Sequence, residues 1–569
     1  MVARGELRLP EMQRRYVWTG TRVRDLLDSL YRGYPSGTIL VWETDQQAPA
    51  RDLAVEQATP AFATQRLLLD GQQRVTSLSA VIRGEPVSVR NKKKPIDILF
   101  NLDHPDGAPA EATEVDDDVD LPMFDLDEDD SDDEDGDDIQ DRLRRRTFVV
   151  ASKALAADPR WVRVTDVFTK SDWAILGPIG LKPDDPSYDK YVTRLQKLRG
   201  IRDYPYVMHV LERTRSYEEV AEIFVRVNSL GAKLRGSDLA LAQVTARWPN
   251  SLKLFEDFGE ELDRKSWFTL DTGLLVRAVV VFATRQSRFR SVPNIPVAAM
   301  QDGWKQAKEA IFFAVNFLKA NAEIEDESLL ASPVLLLSVA AFGAQRSYKL
   351  SAAESAALLQ WALTANARGR YSRGSSETIL DQDLAVIFKG GSVDDLLGLL
   401  KQQFGRLHVE VEDFERRGVR SPLFPTTYLA LKRGGAKDWW SGLGLSLVHQ
   451  GKLHYIEFHH IFPKAVLAKA GYDKAEINEI ANFAFISGRA NRSILAKEPK
   501  RYLPDIVQKR GNAALTAQCI PTDAALWEVS AYREFLSARR KLLTAEVNAL
   551  LSDAEDERGA SPRRAARTG

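Results

Sequence analysis

Between Glu111 and Asp141 stand 18 acidic residues and no Lys or Arg. Like charges at that density repel, and the few apolar residues among them bury too little surface to offset the entropy of ordering. A folded domain that includes both flanks of this run must therefore be interrupted by it, and residues 104–141 read as a disordered, solvated insertion. Self-inhibition, by mimicking DNA in a basic groove, is the alternative role for the same charge. The run also conceals the charge of the remainder. The whole chain totals -2, with 78 Lys and Arg against 80 acids. Outside the run 62 acids are left, so the other 538 residues carry +16, a surplus suited to a polyanionic partner.

A length of 569 residues exceeds what one core organises, which implies at least two domains. Hydrophobic residues at 44% and charged ones at 28% are ordinary for a globular protein. One cysteine, Cys519, excludes an internal disulfide and a cysteine-rich zinc knuckle, and fits a reducing cytoplasm. The charged N-terminus lacks a signal-sequence core. The longest apolar run, Leu329–Ala344, is too short to span a bilayer and contains Pro333, so it reads as a buried helix and no membrane partner is expected.

Periodicity divides the chain further. Val23–Tyr31 is helical in spacing, the turn Tyr34-Pro35-Ser36-Gly37 leads into strand-like Thr38–Trp42, and Arg66–Leu69 runs through Asp70-Gly71 into the helical Val75–Ile82. Strand and helix signals resume at Thr147–Val150 and Tyr217–Val227, so a first domain, 1–240, continues across the insertion. A helical domain, 241–410, follows, with three-to-four spacing in Gly273–Thr284, Gly303–Ala320, Ala352–Ala367 and Val393–Phe404. Residues 411–552 turn basic and aromatic, and 553–569 read as a disordered polar tail.

Within the last domain, His454–Leu495 places two adjacent histidines, His459 and His460, at the end of a short strand before Ile-Phe-Pro. Phe483–Ile486 is strand-like, and Asn491 opens a helical pattern. The segment thus reads strand, loop, strand, helix, with every polar candidate facing one groove. Phosphodiester hydrolysis needs an activated water, a cation to neutralise the transition state, and fixed geometry between them. A neutral His460 can take the proton from water, His459 and the Asn491 oxygen can hold one divalent cation, and Asn482 can pin the loop through backbone hydrogen bonds. Lys464, Arg489, Arg492, Lys500 and Arg501 can grip flanking phosphates, although each taken singly reads as solvated surface charge.

The sequence HHIFPK, IANFAFI, an Asn before the last helix and the K-x-P-x-x-Y-L stretch Lys497–Leu503 resembles the HNH (His-Me finger) endonucleases. The resemblance implies His460 as general base, His459 and Asn491 as ligands of Mg2+ or Mn2+, and Asn482 as the structural asparagine. Availability favours magnesium, though that ion prefers a more oxygen-rich shell.

Three further stretches, LPEMQRRYVW at Leu9–Trp18, LDGQQRVTSL at Leu69–Leu78 and FVRVNSLGAKLRGSDL at Phe224–Leu239, each join a turn to amide and guanidinium donors that can hold phosphate oxygens, with Asp70 beside them. Alone, the turn and its Gln-Gln-Arg would be a simple helix start. Together the stretches resemble the DGQQR domain of GmrSD-like and SspE-like modification-dependent (type IV) restriction systems. That resemblance implies a ParB/sulfiredoxin-like fold that binds and hydrolyses a nucleoside triphosphate, GTP or ATP, through Asp70, Gly71, Gln72, Gln73 and Arg74, with Gln13, Arg14 and Asn228 nearby. Met12 departs from the aromatic usual at its position, and a helix that normally precedes the motif is missing.

The expected fold class is α+β multidomain: a ParB/sulfiredoxin-like N-terminal α/β domain, a helical middle domain and a C-terminal ββα-metal HNH module. The expected function is a cytoplasmic, metal-dependent endonuclease of anti-phage restriction, acting on modified phage DNA, regulated by nucleotide hydrolysis and able to form a homo-oligomer. The alternative is a nucleotide-dependent regulator of DNA or of a protein partner whose HNH fold does not cut.

Overall fold

A computed structural model gives the fold. It describes the chain except residues 3, 14–17, 46–49, 52, 54–64, 85–96, 107–144, 182–184, 231–235, 373, 440, 448–455, 495–496 and 560–569; at 51, 153–154, 186, 228–230, 456–457, 492–493 and 553–559 it describes the backbone alone. The acidic run Glu111–Asp141 lies outside the described residues. The rest divides at Lys253/Leu254 into two compact units. No helix among the described residues is long and apolar enough to cross a membrane.

The N-terminal unit is mixed α/β. Its strands β1 (Leu7–Pro10), β2 (Ile39–Thr44), β3 (Ala50–Arg51), β4 (Gln65–Asp70) and β8 (Met208–Leu211) form one sheet in the order β3-β1-β4-β2-β8. β4 lies parallel to β1 and antiparallel to β2, and β2 lies parallel to β8. The unbroken Leu67-Leu68-Leu69 explains the central place of β4. Side chains alternate along a strand, so Leu67 and Leu69 enter one cluster with Leu40, Trp42, Val220 and Phe224, while Leu68 enters another with Leu7, Leu9 and Val41. Met12, the departure from the family pattern, is 1% exposed in the first of these clusters.

A second sheet, β6-β5-β7, is antiparallel throughout: β5 (Ile98–Asn101) pairs with β6 (Phe148–Val150) and β7 (Trp161–Arg163). The acidic insertion leaves after β5 and returns before β6. Both ends are anchored. Arg194 donates to Leu102 O at 2.6 Å and to Asp106 at 2.8 Å, Tyr191 donates to Asp103 at 2.6 Å, and the buried His104 meets the Tyr31 hydroxyl at 3.1 Å. On the return side Asn101 Nδ2 donates to Arg146 O, and Asn101 N to Thr147 O. Residues His104–Asp106, expected to begin the disordered insertion, are thus tied to the folded unit.

The C-terminal unit begins with helices whose apolar faces are buried, among them Thr272–Thr284, Val297–Ala322, Ala352–Arg368 and Val393–Phe404. The long apolar run becomes the helix Leu335–Gln345, starting two residues after Pro333, with its first nine residues buried. An ion pair of Arg370 with Asp383 is sealed among these helices, joined by the Tyr371 hydroxyl at 2.6 Å. Beyond them, the hairpin β9 (Ile456–His460) and β10 (Phe483–Ser487) forms a two-stranded antiparallel sheet followed by the helix Gly488–Ile494. The last helix, Tyr532–Gly559, runs across the first residues of the expected tail.

Because both ends of the insertion are fastened independently, replacing Gly107–Arg144 by a short Gly/Ser turn adds little loop-closure cost. The melting midpoint of the whole chain should move by less than about 4 °C, roughly the response of a unit of this size to 1 kcal/mol; differential scanning calorimetry measures it.

Candidate functional site

The hairpin register sets His459 opposite Ala484 and His460 opposite Phe483. Adjacent strand residues alternate in direction, and the two imidazoles keep different company. His459 Nδ1 lies 2.7 Å from Asn491 Oδ1, and its ring meets those of Tyr502 and Trp439 edge-on at 5.7 and 6.4 Å. His460 packs on Phe483 at 4.4 Å between ring centroids, and its Nε2 lies 3.1 Å from Asn478 Oδ1. The two imidazoles thus keep separate hydrogen-bond partners, Asn491 for His459 and Asn478 for His460. Asn491 is the fourth residue of its helix, which starts at Gly488, three residues before the expected opening.

Burial depresses both imidazoles. Desolvation brings His459 down to about 4, opposed by the hydrogen bond to Asn491; it brings His460 to about 3, assisted by the positive charge of Lys464 and opposed by Asn478. Both rings are neutral near pH 7. Asn478 fixes more than charge: its Nδ2 donates to Lys474 O at 3.0 Å, which turns its Oδ1 toward His460. Nε2 of His460 must then carry the proton, leaving Nδ1 with the lone pair.

His459 Nε2 is buried with no hydrogen-bond partner among the described residues, while its other nitrogen faces an amide oxygen. An imidazole nitrogen and a carboxamide oxygen are donors that a divalent cation accepts, so this pair fits one as far as its chemistry goes. No group of three His, Cys, Asp or Glu suited to a metal occurs among the described residues. Remaining coordination positions would fall to oxygens from water or phosphate.

Asn482 is fully buried and closes the loop after His460. It accepts from Phe462 N at 2.9 Å and donates to Phe462 O and Ile477 O at 3.1 and 3.0 Å; its own carbonyl accepts from Ile461 N. Residues that the sequence did not single out hold this loop from outside. Tyr502, within the quoted K-x-P-x-x-Y-L stretch, donates to Ile461 O. Gln518 bonds both backbone groups of Phe485, the wholly buried Arg539 donates to Ala481 O and Gln518 O, and Arg540 grips the buried Glu479 with two hydrogen bonds. Asn478 had a usable signal, its spacing of four from Asn482 in INEIAN. Gln518 and Arg539 had none.

Of the five expected DNA contacts, Lys464 lies near enough to His460 to lower its pKa, and Arg501 is exposed with no ion pair among the described residues. Arg489 is exposed but has a partner, and Arg492 lies in the helix after β10 with its side chain outside the described residues. Lys500 pairs with Glu528 at 2.8 Å and Glu498 at 3.3 Å.

In the N-terminal unit the DGQQR stretch forms the strand, turn and helix expected of it: β4 ends at Asp70, Gly71 turns at φ +92°, and the helix Gln72–Arg83 follows. Among the described residues no side chain caps this helix at Gly71, and a helix start is the kind of place where backbone amides can meet an anion. The expected phosphate-gripping side chains are largely engaged inside the protein. Arg74 donates to Ser36 O, Thr38 O and Asp70, Gln73 accepts from Trp18 N, and Gln13 reaches Leu68 O and Leu69 O. Gln72 is buried. Arg14 and the side chain of Asn228 lie outside the described residues.

Two consequences are measurable. Asn482→Ala strands buried partners, at about 1–3 kcal/mol for each unsatisfied group, and should cost the C-terminal unit roughly 3 kcal/mol in denaturant titration. As for pH, a histidine depressed from 6.5 to about 4 or 3 takes up its proton in the unfolded chain first. Its stabilisation is therefore complete above pH 6.5 and lost as pH falls toward 4; His460→Gln should flatten that fall in unfolding midpoints across pH 7 to 4.5.

Residues 2–245 match the family model described as GmrSD restriction endonuclease, N-terminal domain, the family that the DGQQR turn and its companion stretches resemble. An uncharacterized protein of Methanocaldococcus jannaschii is 21% identical over 553 residues, covering 90% of this chain and 86% of the relative, so that likeness extends well past the family match.

Proposed function

We propose, from the match of residues 2–245 to the GmrSD restriction endonuclease N-terminal domain, that this chain is a metal-dependent DNA endonuclease of modification-dependent restriction. The observation that carries the cutting role is the β9–β10 hairpin, where a neutral His460 with a fixed tautomer adjoins the His459–Asn491 pair. This ββα arrangement supports an HNH reading of the C-terminal segment.

In this mechanism His460 takes the proton from an attacking water at Nδ1, while Asn478 holds the Nε2 proton and keeps the ring oriented. Lys464 draws the phosphate toward His460 and offsets its charge. His459 and Asn491 would hold Mg2+ or Mn2+, which when bound supplies charge neutralisation at the phosphate and leaving oxygen. Asn482 acts indirectly, keeping the His460–Phe462 loop in register. The donor set does not select between the two metals.

For the N-terminal unit we propose nucleotide binding at the start of the Gln72–Arg83 helix, with Asp70 orienting the hydrolytic water or a bound cation. The internal bonds of Arg74, Gln73 and Gln13 favour a positioning role: they fix the turn whose backbone amides meet the phosphates. Hydrolysis of GTP or ATP there would regulate cutting of modified phage DNA in the cytoplasm. Asp70→Ala should abolish nucleotide turnover.

His460→Ala should lower DNA cleavage in Mg2+ or Mn2+ by about 100- to 10,000-fold, the usual contribution of a general base, with DNA affinity unchanged. Asn478→Ala should reduce kcat by roughly tenfold, and Asn478→Asp, which retains the acceptor, should restore most of it. Cleavage of modified and unmodified duplexes, with GTP, ATP or no nucleotide, is the measurement. Undiminished cutting by His460→Ala would overturn the mechanism.

A further inference from the structure

We propose that the loop Arg416–Arg420 is the track on which the backbone of duplex DNA lies as it enters the hairpin site, with Arg417 and Arg420 contacting phosphates beside the one at His460. The inference rests on the endonuclease reading and adds a surface to it. The loop is fastened to the same segment that orients His460. Arg417 O accepts from Ile480 N at 2.7 Å, and Arg416 N donates to Glu479 at 3.0 Å. Gly418 makes the closest approach: a Cβ there would lie 2.8 Å from Asn478 O, nearer than real side chains come, so glycine lets the loop sit on the residue that holds His460.

The acids packed nearest this loop bond to arginines other than Arg417 and Arg420: Asp473 to Arg416 at 2.8 Å, Glu476 to Arg533 at 2.8 Å, and Glu479 and Glu415 together to Arg540 at 2.6 and 3.1 Å. Arg417 and Arg420 are exposed and make no ion pair among the described residues, and neither does Lys464, whose charge reaches His460. These cations stand on a loop bonded through its backbone to the segment next to Asn478, and at the start of the helix that follows His460. A phosphodiester backbone, with regularly spaced anions and no demand for particular bases, is the partner such a rim fits. It also replaces Lys500, whose ammonium is held by two glutamates.

The test is duplex binding by the full-length chain in the His460→Ala background, where cutting does not intervene, measured from about 50 to 300 mM salt. Removing both guanidinium–phosphate pairs in Arg417→Ala/Arg420→Ala should reduce the slope of log K against log salt by about 1.8, with affinity falling about tenfold or more at 0.1 M salt. Arg417→Lys/Arg420→Lys retains both charges and should keep most of the slope, which separates loss of charge from loss of fold. Lys500→Ala should leave the slope unchanged. In the cutting-competent chain the alanine pair should raise KM and leave kcat at saturating DNA within about twofold. An unaltered slope in the alanine pair, in a chain that otherwise binds and cuts DNA, overturns the track and leaves the endonuclease standing. A wild-type chain that neither binds nor cuts any duplex overturns the endonuclease reading and the track with it.

Discussion

Everything in the C-terminal site is referred to the side chain of Asn482. An amide carries donors and an acceptor at once, and here it answers both backbone groups of Phe462 and the carbonyl of Ile477 in a fully buried place. Neither an apolar residue nor a carboxylate can make that set, since one lacks the partners and the other lacks the donors. The loop it closes begins at His460 and ends at the helix Lys464–Lys469, so both His460 and Lys464 take their positions from one buried amide.

Around this bond the protein builds inward from the outside. Phe424 packs edge-on against Phe458 and Phe483 at 4.8 and 5.8 Å and tilts against Phe485, giving a two-stranded hairpin the apolar support that it lacks alone. On the other side Arg539 lies wholly buried, donating to Ala481 O and Gln518 O, with no carboxylate partner among the described residues; desolvation pulls it down to about 10, so it stays charged. A buried cation facing carbonyl oxygens is costly unless those bonds hold, which ties the last helix to the residue immediately before Asn482. Remote chain segments thereby make a short motif rigid.

The N-terminal unit solves a related problem by different means. Arg74 reaches from its helix back to Ser36 O and Thr38 O and to Asp70, so the DGQQR turn is fastened to the strand beside it. Gly37, at φ +92°, leaves the space that this guanidinium fills. The sequence suggested a guanidinium aimed at phosphate, whereas its bonds lie within the protein. Side-chain chemistry alone cannot distinguish the two uses, because a backbone carbonyl and a phosphate oxygen accept the same hydrogen bonds.

The sequence by itself determined what depends on neighbours a few residues away. Arg66–Leu69 read as a strand, Asp70-Gly71 as the turn into a helix, and the HHIFPK and IANFAFI region as two strands with a loop between them. The resemblance of those stretches to HNH endonucleases also pointed to His459 with Asn491 and to Asn482 as the brace. Only the tertiary structure decided that His459 and His460 meet different partners, that Asn478 sets the tautomer of one of them, that Glu528 arrives beside Lys500, and that Arg539 and Gln518 carry the hairpin. The physical reason is distance along the chain. Hydrogen bonds spanning 18 to 58 residues are fixed by how helices and strands pack, and neither the periodicity nor the composition of a segment records which distant donor will arrive beside it.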